Sequence, residues 1–385
     1  ISVNVNLDLF PKTRDFNVDG EYMLVNKSGQ IIDSIFLDHS SRISTFEFDR
    51  ENTLVLEDTT YHFDIYEFKN PILPGDSLKL NFTVRNKPNT LLRNNSPVLY
   101  NGTFLSNQNF PSLGYQGYEL TDDKTREKYG LPPNELKPLP SDSTALGNTY
   151  ISKDSDWIDF EATVSTSVDQ IAIAPGYLQK EWVDGDRRYF NYKMDSKILN
   201  FYSFNSADYQ VFKDSWNDVS LEIYYHSGHD YNLDRMMKGM KAALEYCSEN
   251  FSPYQHKQLR IIEFPKSQGF YAQAFPNTVP FSEGLGFIAD VDDSEEGGND
   301  YPFYVTAHEV AHQWFAHQVI GADVLGATVM SESLSEYVGL KIIESVNGKN
   351  KMRKFLKKSL DDYLLSRTFE TKRENALMFN DGQGY

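Results

Sequence analysis

The chain has 385 residues, a hydrophobic fraction of 40% and a formal net charge of −18 at pH 7. That length and apolar content are enough for two domains with separate cores. The acidic balance argues against a nucleic-acid partner, because phosphate binding requires a basic surface. The single cysteine, Cys247, excludes an internal disulfide, and its place on an apolar helical stripe predicts a core position.

The first two hundred or so residues show the period-two alternation of β-strands. Apolar and polar side chains alternate over 3–9, 78–84, 158–164 and 219–225. Alternation of this kind places one face of a strand on a core and the other toward water, as in antiparallel sheets. We therefore predict an N-terminal all-β antiparallel domain, of saddle or sandwich type, over residues 1–217. Its many aromatic residues could form a ligand platform, but core or sheet-face positions explain them more simply.

The pattern changes after about residue 217, and we assign residues 218–385 to a second domain. Apolar residues recur at helical spacing from Leu233 to Phe251, and Pro253 follows the predicted helix. The methionines of this stripe could form a partner groove, although core packing is the simpler interpretation. A short strand is predicted over 259–264 and a lysine-rich amphipathic helix over 349–367.

Between these elements lies the motif His308-Glu309-Val310-Ala311-His312, which has the HExxH pattern of zinc peptidases. Residues four apart lie on the same face of a helix, so His308 and His312 can both present an imidazole to one ion. Glu309, next to the first histidine, can reach a water at the metal but not the metal itself. Two histidines and a glutamate can also occur on a helix by chance, so the rest of the site decides the matter.

The predicted HExxH helix has clear ends. Asn299 or Asp300 can cap it, Pro302 suits its first turn, and Gly321 is expected to end it. A second helical pattern then begins near Ser331 and stops at Gly348. The chain therefore predicts two helices in succession, joined by a loop.

The second helix offers the third ligand that a catalytic zinc site requires. Glu332 lies twenty positions beyond His312, which makes it the obvious candidate. Glu336 lies one turn further on the same face. From there its carboxylate could accept a hydrogen bond from a ligating imidazole and fix the tautomer of that ring.

Together, HEVAHQWFAHQV and SESLSEY resemble the signature of the gluzincin aminopeptidases, the family of aminopeptidase N. The resemblance implies that His308, His312 and Glu332 bind one Zn²⁺ per chain and that Glu309 is the general base. It also implies a thermolysin-like α+β catalytic domain after the all-β domain, with peptides as substrates. Nineteen residues separate His312 from Glu332, one more than in the family, and we expect the extra residue to lie in the loop of 321–326.

A second part of the resemblance concerns substrate selection. The family binds the free α-amine of its substrate through a glutamate in a GxMEN strand, and SEGLGFI (282–288) resembles the family pattern MENxGLI. The resemblance assigns the amine-binding role to Glu283. A carboxylate there would pair with an ammonium group and would favour free N-termini over internal peptide bonds. The flanking Gly, Met and Asn of the family are absent here, and an exposed position on an edge strand is the alternative.

The family also supplies a tyrosine that hydrogen-bonds the oxyanion, and its expected position falls beyond Tyr385. We therefore expect the catalytic domain to be truncated at its C-terminal end, with GQGY (382–385) leading toward that tyrosine. Loss of one oxyanion donor typically lowers the rate about a hundred- to a thousand-fold. This fragment is accordingly expected to be weakly active or inactive by itself.

Two other functions remain open. The SES variant and the segment before it resemble domains appended to large bacterial membrane proteins, some of them transporter permeases. In that case the chain would be a zinc-bearing accessory or binding module with little peptidase activity; an endopeptidase is a weaker option. The sequence starts at Ile1 without a methionine, a signal-like segment or a long apolar run. We expect a soluble fragment of a larger parent whose other parts span a membrane.

Overall fold

The computed structural model describes residues 1–39, 43–86, 96–114, 120–152, 154–294, 298–369 and 374–379. The strands, in chain order, are β1 (Ser2–Phe10), β2 (Asp15–Val25), β3 (Ile32–Asp38), β4 (Ile43–Phe48), β5 (Asn52–Asp58), β6 (Phe63–Ile72), β7 (Ser77–Asn86), β8 (Thr103–Ser106), β9 (Ser112–Leu113), β10 (Trp157–Ser167), β11 (Ile171–Ile173), β12 (Tyr177–Asp184), β13 (Arg187–Lys193), β14 (Ile198–Leu199), β15 (Ser203–Ala207), β16 (Tyr209–Trp216), β17 (Val219–His226), β18 (Gln258–Phe264) and β19 (Thr278–Ser282). The helices are α1 (Asp123–Lys128), α2 (Leu233–Asn250), α3 (Tyr301–Ala311), α4 (Glu332–Asn347) and α5 (Lys349–Arg367).

The N-terminal part is built from β-sheets that share one core. The largest sheet has the strand order β12-β13-β10-β1-β2-β7-β4, with β14 added to β10. A second sheet has the order β5-β6-β3-β9 and a third has β11-β15-β8. The alternating apolar residues of β1 and β7 face this core, where Val5, Leu7 and Leu80 are fully buried. The period-two prediction is confirmed for these strands.

The prediction of a purely antiparallel N-terminal domain is wrong at one pairing. Strand β1 pairs with β2 antiparallel but with β10 parallel, with Val3 opposite Phe160. Parallel neighbours need a long crossover connection, and strands β2 to β9 all lie between β1 and β10 in the chain. Local alternation cannot reveal such a pairing, because both kinds of neighbour give a strand the same two faces.

The C-terminal part has a smaller sheet with the order β16-β17-β18-β19, covered by helices. Strands β16 and β17 form an antiparallel hairpin, whereas β17, β18 and β19 are parallel neighbours. Helix α2 lies between β17 and β18 in the chain and supplies the crossover that parallel pairing needs. The predicted domain boundary between residues 217 and 218 falls in the turn of the β16–β17 hairpin, and the division itself stays a prediction.

Helices α2, α3 and α4 pack together with this sheet around a second core. Gly239 on α2 allows the approach of α3, since a Cβ there would lie 2.9 Å from the Phe303 carbonyl oxygen. Cys247 is buried in this core, as predicted, and burial raises the pKa of its thiol to about 12. Throughout the described ranges, no helix is both long enough and apolar enough to cross a membrane.

Candidate metal centre

Helix α3 carries the HExxH motif on a well-capped segment. The Asp300 side chain accepts a hydrogen bond from the Phe303 backbone N–H at 3.0 Å, and Pro302 occupies the first turn. The predicted end at Gly321 is wrong, because α3 ends at Ala311 and His312 is its C-cap. His312 keeps helical dihedrals, with φ −61° and ψ −19°, so its side chain still lies one turn beyond His308.

The segment between the two helices returns the chain to the same side of α3. It contains a short 3-10 helix, Ala327–Met330, and Glu332 is the first residue of α4. The Ser331 hydroxyl lies 2.5 Å from the Tyr150 hydroxyl, which belongs to the segment before β10. The start of α4 is thereby held by a residue from the N-terminal half of the chain.

The structure brings His308, His312 and Glu332 together. The two Nε2 atoms are 3.1 Å apart, and Glu332 Oε2 lies 3.6 Å from each of them. A tetrahedral zinc ion with bonds of about 2.0–2.2 Å keeps its ligand atoms about 3.3–3.6 Å apart. The extra residue in the connection therefore leaves a three-atom arrangement of the size that zinc requires.

The electrostatics of this group also suit a cation. Burial lowers the pKa of His308, but the carboxylates of Glu332 and Glu336 outweigh burial and raise it to about 10. The two histidines in turn hold the pKa of Glu332 well below its ordinary value. Two imidazoles and an ionised carboxylate form a donor set that matches zinc.

Contacts behind the histidines orient the two rings. His312 Nδ1 lies 3.0 Å from the Phe315 carbonyl oxygen and 3.1 Å from Ser335 Oγ. A proton on Nδ1 donated to that carbonyl leaves Nε2 free to bind a metal. His308 Nδ1 lies 3.4 Å from Glu336 Oε2. Glu336 is therefore next to a ligating imidazole, as predicted, but the distance is longer than that of an ordinary hydrogen bond. The sequence did not predict the contacts of Phe315 and Ser335. For Ser335 a signal was available, because it lies three positions after Glu332 on the same helix.

Glu309 lies on α3 among these residues with its side chain buried. Among the residues that the structure describes, none forms a hydrogen bond with its Oε2 atom. Burial raises the pKa of Glu309, while His312, His308 and the Ala274 backbone act in the opposite direction. A buried carboxylate oxygen without a partner, next to a candidate metal site, is available to a water molecule.

A segment of the chain before β19 runs beside the HExxH helix. Gln313 is fully buried and forms two hydrogen bonds with this segment. Its Oε1 accepts from the Asn277 backbone N–H at 2.9 Å, and its Nε2 donates to the Phe275 carbonyl at 2.9 Å. His317 Nε2 lies 3.2 Å from the Ala274 carbonyl oxygen. These contacts, which no local sequence pattern indicates, fix the wall of the site next to Glu309.

Comparison with known proteins places this geometry in a fold. No family sequence profile matches the chain, and no curated protein is a significant match. Solved structures do match. An M1 zinc metallopeptidase from Deinococcus radiodurans aligns with a TM-score of 0.61 at 13% identity, over 96% of this chain and 74% of that one. A mutant of an M1 zinc metallopeptidase from the same organism, bound to a Tyr-Ser-Ala substrate, aligns with a TM-score of 0.61 at 13% identity, over 99% and 78%. A two-domain M1 zinc metallopeptidase mutant bound to L-arginine gives 0.60 at 12% identity, over 99% and 76%.

The chain has the fold of the M1 zinc metallopeptidases. The resemblance to the aminopeptidase N family therefore holds at the level of the fold. The alignment covers 96% of this chain.

The predicted roles of Glu283 and of an oxyanion tyrosine stay predictions. Glu283 is not part of the group of His308, His312 and Glu332, and its Oε1 accepts a hydrogen bond from the Lys266 backbone N–H at 3.1 Å. The predicted truncation before the oxyanion tyrosine concerns residues 382–385 and beyond, which lie outside the described residues.

Proposed function

We propose that this chain is a zinc-dependent metallopeptidase with His308, His312 and Glu332 as the zinc ligands. The observation that carries the proposal is the convergence of the three ligand atoms, with separations of 3.1, 3.6 and 3.6 Å. The spacing, the donor types and the orienting contacts behind both rings all fit zinc. The M1 fold adds support, since the matched structures are zinc metallopeptidases.

The proposed reaction is hydrolysis of a peptide bond. When bound, zinc supplies Lewis-acid polarisation of the scissile carbonyl and activation of the attacking water. Glu309 accepts a proton from that water and later donates it to the leaving amine. Its buried Oε2, which has no other partner, suits this role. Ser335 Oγ contacts Nδ1 of His312 and holds that imidazole in place, and Glu336 lies near Nδ1 of His308 at 3.4 Å.

Metal analysis of variants tests the ligand assignment without depending on turnover. Relative to wild type, His312→Ala should lose one equivalent of zinc per chain. The control His62→Ala removes a histidine from the turn before β6 and should keep the wild-type zinc content. Equal zinc contents in His312→Ala and wild type would overturn the assignment.

The general-base assignment requires a different variant. In the full-length protein, Glu309→Gln should keep the zinc and lower peptide turnover by about a hundred- to ten-thousand-fold, because proton transfer is lost while the ligands remain. Undiminished turnover in that variant would rule out Glu309 as the base.

Within this function we propose aminopeptidase selectivity, with Glu283 as the group that binds the substrate's free amine. One matched structure is bound to a Tyr-Ser-Ala substrate, which supports short peptides as the substrate class. Peptides with free and with acetylated N-termini should differ strongly in kcat/KM, and Glu283→Gln should reduce that difference. Equal cleavage of both peptides by the wild type would indicate an endopeptidase.

The alternative of an accessory module predicts zinc binding without turnover of any peptide, so the same two assays separate it from an enzyme. Attachment to a membrane through a larger bacterial parent stays a prediction. Sequencing of the parent gene on both sides of the 385 codons would test it, because membrane spans there would favour the accessory role.

A further inference from the structure

A second cluster of two histidines and a glutamate lies outside the candidate metal centre. His226 is the last residue of β17, His229 lies in the turn before α2, and Glu263 lies on the neighbouring strand β18. One ligand atom from each of the three residues lies within 4.8 Å of the others. Among the described residues, this cluster and the group of His308, His312 and Glu332 are the two that meet that condition.

The centre of the cluster is a fully buried carboxylate. Glu263 has 0% exposure, and its Oε2 accepts a hydrogen bond from the His226 backbone N–H at 2.6 Å. Its Oε1 lies 3.2 Å from His226 Nδ1 and 2.5 Å from His229 Nδ1. The ion pairs of Glu263 among the described residues are with these two imidazoles. A buried carboxylate without a lysine or arginine requires another source of positive charge.

His226 contributes ring nitrogens that are available for a ligand. Both Nδ1 and Nε2 are buried, and within the described ranges neither has a well-aligned hydrogen-bond partner. Such orphaned nitrogens are costly unless an ion or a water satisfies them. The side chains of His226 and His229 are 18% and 29% exposed, so an ion can enter from solvent and keep one open position.

We propose that His226, His229 and Glu263 form a second divalent-metal site that takes Zn²⁺. Two imidazoles and one carboxylate are a borderline donor set that suits zinc, whereas calcium and magnesium require mostly oxygen ligands. The separation of 3.2 Å between His226 Nδ1 and Glu263 Oε1 is that of two ligands on one tetrahedral ion. His229 would move outward by about 0.8 Å, as the metal replaces the proton in its short contact with Glu263.

The position of the site indicates what the metal does. The segment 96–102, which precedes β8 of the N-terminal sheets, packs against this cluster. A Cβ on Gly102 would lie 3.7 Å from the His226 ring, and Gln268 Nε2 donates to the carbonyls of Pro97 and Gly102 at 3.1 Å each. A metal here fixes the end of β17 to β18 beneath that segment. It therefore stabilises the contact between the two parts of the chain and stands apart from the peptidase chemistry.

Stoichiometry in separate variants tests this proposal independently of the proposed function. Metal-free protein titrated with Zn²⁺ should bind two equivalents in wild type, one in His312→Ala, one in His229→Ala and none in the double variant. Retention of both equivalents by His229→Ala would overturn the second site, as would a single equivalent in wild type that His312→Ala removes. Loss of zinc in His312→Ala bears on the catalytic centre alone.

A second measurement guards against misfolding of His229→Ala. In the His312→Ala background, added Zn²⁺ should raise the thermal midpoint, because an ion that binds only the folded chain stabilises it. His226→Asn in the same background should abolish that rise. Co²⁺ in place of Zn²⁺ should give the absorption of a nitrogen- and oxygen-ligated ion in His312→Ala. The double variant with His226→Asn should lack that absorption. An identical response of both proteins would overturn the second site, because His226 would then not bind the ion.

Discussion

Replacement of Gln313 by alanine probes the contact between the HExxH helix and the segment before β19. The side chain is fully buried and connects the two through the Asn277 N–H and the Phe275 carbonyl, each at 2.9 Å. Asn277 has a positive φ of 51°, an uncommon conformation for a residue other than glycine. The hydrogen bond that the Asn277 N–H donates to Gln313 Oε1 therefore helps to hold this left-handed backbone conformation.

The loss of stability in Gln313→Ala follows from the hydrogen bond that each partner of Gln313 loses. The Asn277 N–H would be left buried without an acceptor, which costs about 1–3 kcal/mol. The Phe275 carbonyl keeps a second donor, the Thr278 N–H at 3.1 Å, so its loss is that of an ordinary hydrogen bond, about 0.5–1.5 kcal/mol. We expect Gln313→Ala to lower the free energy of unfolding by about 2–4 kcal/mol.

Gln318→Ala is the matched control, five positions further along the same segment. Gln318 is partly exposed and contacts Ser252 Oγ at 2.7 Å and the Pro253 carbonyl at 3.3 Å, where water can replace it. Its loss should cost about 1 kcal/mol or less. Urea unfolding of both variants in the presence of zinc provides the comparison. Equal destabilisation by the two substitutions would refute the reasoning. Loss of zinc from Gln313→Ala, with a normal zinc content in Gln318→Ala, would refute it as well.

Two further predictions concern the orienting contacts and acid stability. Ser335→Ala should weaken zinc binding by about tenfold, because His312 Nδ1 keeps only the Phe315 carbonyl; Ser345→Ala, at the other end of α4, should leave zinc affinity unchanged. Burial lowers the pKa of His256 to about 4, so this residue is neutral when folded and protonates more readily when unfolded. Stability should therefore fall by up to about 3 kcal/mol as pH drops from about 6.5 to about 4, and His256→Phe should lack that part of the loss in urea unfolding at pH 7 and pH 4.5. Equal pH dependence in wild type and His256→Phe would contradict the second prediction.

Local patterns were sufficient for most elements of the second region. The cap at Asp300 follows from a residue-type preference that acts over one helical turn, and the start of α4 next to Ser331 follows from the helical pattern of apolar residues; the structure confirms both positions. The end of α3 was placed ten residues too late, because the apolar pattern continues past Ala311 through residues buried for tertiary reasons, such as Trp314. Helical periodicity cannot distinguish a helix from a loop that is packed into the core.

The candidate site, too, could be predicted only in part from local sequence. Spacing alone suggested His308, His312 and Glu332, since HExxH is a local feature of one helix and the glutamate follows in the next. The buried pairs that support the site, Gln313 with Asn277 and Tyr150 with Ser331, join residues 36 and 181 positions apart. No pattern within a window of one or two helical turns contains that information.

The sequence by itself determined the alternating strands, the helices and the metal-ligand types, because these depend on side-chain chemistry and on interactions between near neighbours. Tertiary structure alone decided the parallel pairing of β1 with β10 and the meeting of His226, His229 and Glu263. Each of these depends on how distant strands align in a sheet, and alignment is set by packing over the whole core. The physical reason is that hydrophobic burial is nondirectional, so it specifies which faces are hidden but leaves the choice of neighbours to the complete fold.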